Sequence, residues 1–185
     1  MTETSDPDVM NLADALSVSW RPGEPRRLTY VERERGADAV YDYRFDIDAS
    51  ERVVAFDERI SGRWGQVDWD PECRHLLYTR DGEIRVYDTE TGEESTPAPS
   101  EAFDNAPRFS PDGDRIAFVS GRGEAGNDIW VVDRDGENLE RVTEGANPHD
   151  DKRWEPSWSP EGDRIAFGGA ADWHGRDWAD EAHVV

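Results

Sequence analysis

Lysine is almost missing from this chain. Of its 21 basic residues only Lys152 is a lysine, and the rest are arginines set against 43 acids. The formal charge of −22 lacks the positive footprint that nucleic acid or an anionic membrane surface requires of a partner. An acidic, lysine-poor composition fits work in concentrated salt, where the Debye length falls to about 3 Å at 1 M and carboxylates stop repelling one another. A GC-rich genome would account for the arginines but not for the surplus of acids. Cysteine is scarce too: Cys73 stands alone, so no internal disulfide can form. No apolar run nears the roughly 18 residues of a membrane-spanning helix. The start, MTETSDPDVMNLADALSV, has neither the basic flank nor the apolar centre of a secretory signal. These absences set the expectation of a cytoplasmic protein whose partner is a protein, a peptide or another small ligand, with no nucleic acid, no membrane and no cofactor. Aliphatic residues are few, but 8 Trp, 5 Tyr and 6 Phe are ring enough to fill a core, unlike in a disordered acidic chain.

What the chain does have is a phrase written more than once. RFSPDGDRIAF (108–118) returns as SWSPEGDRIAF (157–167), and looser versions begin at 19 (SWRPGEPRRLTYV) and 68 (DWDPECRHLLYTR). Each has an aromatic residue, a proline two positions later, a turn and an apolar run. The prolines, Pro22, Pro71, Pro111 and Pro160, are spaced by 49, 40 and 49 residues, and a period of roughly 40–50 is that of a propeller blade. Within one repeat, 107–109 reads as a short strand. Ser110, Pro111, Asp112 and Gly113 then make a tight turn, with proline presetting the second φ and glycine free to take a positive one. Strands follow at 115–120 and 128–133, then the turn 134–137 and a fourth strand at 139–143. Ser159, Pro160 and Gly162 repeat the turn. The interiors IAFV and IWVV are apolar at every position, which expects both faces of the sheet to be covered. The fold expected is all-β: a β-propeller of four-stranded antiparallel blades, about three complete plus an incomplete fourth. The blades fall at approximately 17–57, 65–97, 106–143 and 155–185, preceded by an acidic segment, 1–16, with a short helix or turn over 6–16.

These phrases resemble the TolB-type, WD-like propeller repeat, P-x-W/F-S-P-D-G-x-x-I-A-F followed by D-I-W-V-V-D-x-D-G and L-T. The match is close over 107–119, 128–143 and 156–167, fair over 67–88 and loose before residue 60. Similar repeats form the propeller that precedes the catalytic domain in prolyl oligopeptidase family peptidases. The resemblance implies a scaffold that binds proteins or small ligands, or one that guards a peptidase entrance; it does not imply catalysis. Closed propellers need about four to eight whole blades. The expectation is therefore that this chain is the amino-terminal piece of a longer protein, with ring closure by a second copy or completion of the last blade by another subunit as alternatives.

Function concentrates on long loops. In an up-down-up-down blade the first-to-second and third-to-fourth turns share one face, and here they are tight. The opposite face collects 58–65, 95–105, 120–127, 144–154 and 168–183, and is the candidate binding face. On it, His149, Asp150, Asp151, Arg153 and Trp154 form one cluster, Trp173, His174, Arg176, Asp177 and Trp178 another, and Arg122 lies on a third loop. Exposed Trp and Arg are common partner anchors; the same tryptophans could instead cap the blade stack. No metal site is expected, since DRDGEN (133–138) lacks the further ligands of a calcium loop and four histidines are scattered. No catalytic residue is assigned: there is no G-x-S-x-G elbow, and Cys73 and His75, although two apart and so pointing one way on a strand, have no evident third partner.

Overall fold

The computed structural model describes residues 15–34, 36–60, 66–123, 126–143, 153–170 and 180–185. They form four antiparallel meanders. The first is β1 (Ala15–Trp20), β2 (Arg27–Glu34), β3 (Ala37–Arg44) and β4 (Ala49–Ala55). The second is β5 (Val67–Trp69), β6 (His75–Arg80), β7 (Glu83–Asp88) and β8 (Glu94–Ser95). The third is β9 (Asp104–Phe109), β10 (Arg115–Gly123), β11 (Gly126–Asp133) and β12 (Glu140–Arg141). The fourth is β13 (Arg153–Trp158), β14 (Ile165–Ala170) and β15 (Asp180–Val184). Within each sheet the strands lie side by side in chain order.

No helix occurs among the described residues. The expected helix over 6–16 therefore needs correcting at its end. Ala15 and Leu16 belong to β1, where Leu16 packs against the joint between the first two blades; residues 1–14 lie outside the described residues. The fourth blade's third strand begins at Asp180, within the expected loop 168–183.

The unbroken apolar runs are explained by where alternate residues go. Leu76 and Tyr78 of β6 pack with Val31, Val40 and Ile60 of the first blade, whereas Leu77 between them packs with Phe109, Ile116 and Phe118 of the third. In β10, Ile116 and Phe118 turn to the second blade, and Ala117 and Val119 to Ile165 and Phe167 of the fourth. Successive side chains of a strand point to opposite faces, so an apolar residue at every position is what a sheet sandwiched between two others needs. Each such side chain, fully buried, contributes about 1.5–3 kcal/mol.

The first strands run together along one side: β1 meets β5, β5 meets β9, and β9 meets β13. Past β9, the Gln66 amide donates to Glu155 Oε1 at 2.7 Å, so side chains of the second and fourth blades touch across the third. That curvature places the first strands on the concave, axial side, as in a propeller.

The repeated turn is the part that joins blades at one end. Ser110 Oγ accepts the Arg115 N–H at 2.9 Å and donates to Asp112 at 2.5 Å. Ser159 Oγ accepts from Arg164 at 3.1 Å. In the second blade Asp70 replaces the serine and accepts from both Arg74 and His75, each at 2.9 Å. The fourth turn residue has positive φ throughout these three: Gly113 +78°, Gly162 +70° and, without the freedom of glycine, Cys73 +56°. Each also rests on the proline of the preceding blade. Cys73 Sγ lies 3.2 Å from the Pro22 carbonyl oxygen; a Cβ on Gly113 would come within 2.7 Å of Pro71 Cδ, and one on Gly162 within 3.4 Å of Pro111 Cδ.

Candidate functional site

A cleft of about 300 Å³ opens where the first strands end, lined by Pro22, Asp68, Trp69, Pro71, Arg108, Phe109, Ser110, Pro111, Ser157 and Trp158. It draws on all four blades and lies at the tight-turn end. The two rings from Trp positions are held by bonds between blades. The Trp69 indole N–H donates to Thr29 Oγ1 of the first blade at 2.7 Å, and that hydroxyl donates onward to Asp42 at 2.6 Å. The Trp158 N–H donates to the Arg108 carbonyl at 3.2 Å. An arginine covers each ring: Arg21 stands 4.4 Å from the Trp69 centroid and Arg115 4.7 Å from that of Trp158. Arg21 also pairs with Asp42. These are cation–π contacts of the kind worth about 0.5–2 kcal/mol, and they leave the rings oriented before any ligand arrives.

Asp68 is the acid of the cleft. Burial pushes its carboxyl above the usual carboxylate range, while the Phe109 N–H, donating to it at 2.9 Å, and the nearby Arg108 pull the other way. The Arg108 guanidinium donates to the Pro107 carbonyl of its own strand at 2.9 Å. The Ser110 hydroxyl is already committed to the turn. The cleft thus sets rings and prolines beside one carboxyl and one guanidinium.

Arg122 falls in the last turn of β10, not on a free loop. It donates to Asp104 at 2.5 Å, to Ser120 Oγ at 2.8 Å and to the Ala98 carbonyl at 3.1 Å, and it lies over Phe118 and Trp130. Asp104 is fully buried, and burial holds its carboxyl above the usual range against Ser120 and Arg122. Arg122 is thus a cross-strand tie. Arg153 and Trp154 open β13. His149, Asp150, Asp151, Trp173, His174, Arg176, Asp177 and Trp178 lie outside the described residues.

Cys73 and His75 do not form a pair. The left-handed φ of Cys73 breaks the strand alternation, and its thiol, pushed up by burial, faces Pro22. The His75 ring instead meets Asp70 at 2.6 Å, with Arg134 of the third blade 3.5 Å from the same carboxylate. Among the described residues no group of three or more His, Cys, Asp or Glu side chains could hold a metal ion. The cleft was not anticipated from loop length. Its signal was the aromatic–x–proline phrase itself, which supplies Trp69, Phe109, Trp158 and three of its prolines.

Comparison with known proteins agrees with this architecture. The family model described as the dipeptidyl peptidase IV N-terminal region matches residues 66–151, which span the second and third blades. TolB from Acinetobacter baumannii superposes with a TM-score of 0.68 at 20% identity, over 92% of this chain and 43% of that one. A putative TolB from Agrobacterium tumefaciens gives 0.65 at 23%, over 86% and 57%. A prolyl endopeptidase gives 0.54 at 14%, over 83% and 24%. The chain spans about half the length of the TolB structures. It is built of TolB-like, peptidase-type propeller repeats, assembled as a partial β-propeller.

Proposed function

We propose that the chain is a non-catalytic propeller scaffold that binds a peptide segment of a protein partner, or a small ligand, in the tight-turn cleft. The observation that carries this is the convergence of the first-strand ends of three blades, with a turn proline of the first, on one ring-lined cleft. Its indole N–H groups are spent on the scaffold, and Trp158, only partly buried, keeps ring surface toward the cleft. A segment carrying an aromatic or aliphatic side chain beside a charge fits a wall of Trp158, Phe109 and prolines with Arg108 and Asp68 at hand. The long-loop face, with the tryptophan clusters around 154 and 178, serves as a second contact surface in this reading.

The test is an array of immobilised peptides probed in molar salt with the wild type and with Arg108→Glu. The expected result is a shared motif among bound peptides and at least about tenfold weaker binding by the variant, as for loss of a central charged anchor. Binding that the substitution leaves untouched overturns the reading. A second reading, in which this propeller filters substrates for a serine peptidase, rests on the family match at 66–151. Sequencing the gene beyond the Val185 codon tests it: further repeats followed by a G-x-S-x-G segment support it, and their absence refutes it.

A further inference from the structure

The repeats supply their own comparison at the cleft. From copy to copy of the phrase the aromatic residue, the proline and the turn recur, whereas the residue just before the aromatic changes: Ser19, Asp68, Arg108 and Ser157. Ser19 stands opposite Thr29 at the joint of the first and second blades, so a blade joint asks for no charge at this position. Yet the two middle copies carry opposite charges there, and both side chains line the cleft.

The direction of each follows from the aromatic beside it. Trp69 packs into the joint with the first blade, so Asp68 turns to the third, where its carboxylate accepts the Phe109 N–H. Phe109 packs into the joint with the second blade. Arg108, opposite Ala117 in the sheet, turns to the fourth. The carboxylate and the guanidinium therefore belong to successive joints, on either side of β9. They act on each other through their charges, but their hydrogen bonds run to backbone groups, which bring no counter-charge. A charge withdrawn from water is costly without one, and a ligand that brings the opposite charge to each gains at both places. Partly buried pairs of this kind are screened by salt much less than exposed ones. We infer that the cleft selects a peptide segment carrying one basic and one acidic side chain, the base seated at Asp68 and the acid at Arg108, across the end of β9. This rests on the cleft being the binding site proposed above, and names the charge pattern that it reads.

The probe is a synthetic set of fluorescent octapeptides with a central Phe and with one Arg and one Glu at every spacing and in both orders. Each has counterparts with Gln in place of the Arg, of the Glu, or of both. Binding is read by anisotropy in about 2 M salt, where exposed charges are screened. The tightest peptide is expected to lose roughly tenfold when either charge is replaced. In Asp68→Asn, whose amide oxygen can still accept the Phe109 N–H, replacing the peptide's Arg is expected to cost less than about twofold, while replacing its Glu still costs about tenfold. In Arg108→Gln the two costs are expected to exchange. The replacements on the peptide decide the matter even where a variant fails to fold. Wild-type binding that needs the Glu and is indifferent to the Arg overturns the inference and leaves the cleft standing as a binding site. Losses that persist undiminished in both folded variants overturn the inference and the cleft reading together. A set in which nothing binds overturns the inference alone, since the reading is then judged by its own array.

Discussion

Alanine at Gly113 probes the stacking of blades more sharply than any change in the core. The residue has a φ of +78°, and a Cβ there would stand 2.7 Å from Cδ and 3.2 Å from Cγ of Pro71 in the preceding blade's turn. A proline ring cannot swing aside as a long side chain does. Gly23 supplies the control: its φ is +69°, but a Cβ would meet nothing within 4 Å. Gly162 is intermediate, with φ of +70° and a nearest approach of 3.4 Å to Pro111. The cost of placing an L-residue in the left-handed region, about 1–2 kcal/mol, is common to all three. The collision with Pro71 adds the price of overpacking, about 1–3 kcal/mol, at Gly113 alone. For a chain of this size 1 kcal/mol shifts the melting temperature by about 2–4 °C, so Gly113→Ala is expected to melt roughly 3–10 °C below Gly23→Ala. Thermal unfolding followed by circular dichroism at fixed molar salt measures the gap. Pro71→Ala in the Gly113→Ala background is expected to recover most of the excess, a coupling between side chains more than forty residues apart in sequence. If Gly113→Ala and Gly23→Ala melt together, the turns do not stack as described.

Three further outcomes follow from the same geometry. Thr29→Val keeps the shape of a fully buried side chain but removes the acceptor of the Trp69 indole and the donor to Asp42; chemical denaturation is expected to show a loss of about 2–4 kcal/mol. Burial raises the folded-state pKa of Asp68, so the folded chain holds this proton more tightly than the unfolded one. Its contribution to stability then falls as pH rises from about 4. The melting temperature of Asp68→Asn relative to wild type is accordingly expected to move in the variant's favour between pH 4 and pH 7, and a difference independent of pH contradicts the assignment. Finally, with a charge of −22, the wild-type melting temperature is expected to rise markedly from dilute buffer to molar salt; a flat profile contradicts self-repulsion as the dominant charge effect.

The blades were legible because two signals coincide in them. The proline–glycine turns recur at a blade-sized interval, and apolar runs such as Ile116–Val119 lack the alternation of a half-exposed sheet. The turn chemistry was legible down to the positive φ of Gly113. Leu16 was misread because Val9, Leu12 and Leu16 have helical spacing, yet its apolar side chain is claimed by the first interblade joint, and tertiary packing overrides a single turn of local pattern. Cys73 and His75 were set aside as a catalytic pair for want of a third group, and the left-handed backbone of Cys73 places it in the turn, off the strand alternation. Arg122 looked like a loop anchor because β10 runs on to Gly123 through residues with no β signature, held there by the buried Asp104. The cleft escaped notice for a different reason: its rings and prolines were read as punctuation of the repeat, and nothing in one dimension tells that four such marks face a common space.

The central claim is that successive meanders stack face to face around an axis, each seating its aromatic residue on the blade before. The indole proton of Trp69 reports on this directly, in a nitrogen-edited nuclear Overhauser spectrum recorded in molar salt. Cross-peaks from that proton to the Thr29 side chain, together with slow exchange against water, are the predicted result. An indole proton that exchanges freely and shows no contact with the first blade would contradict the account.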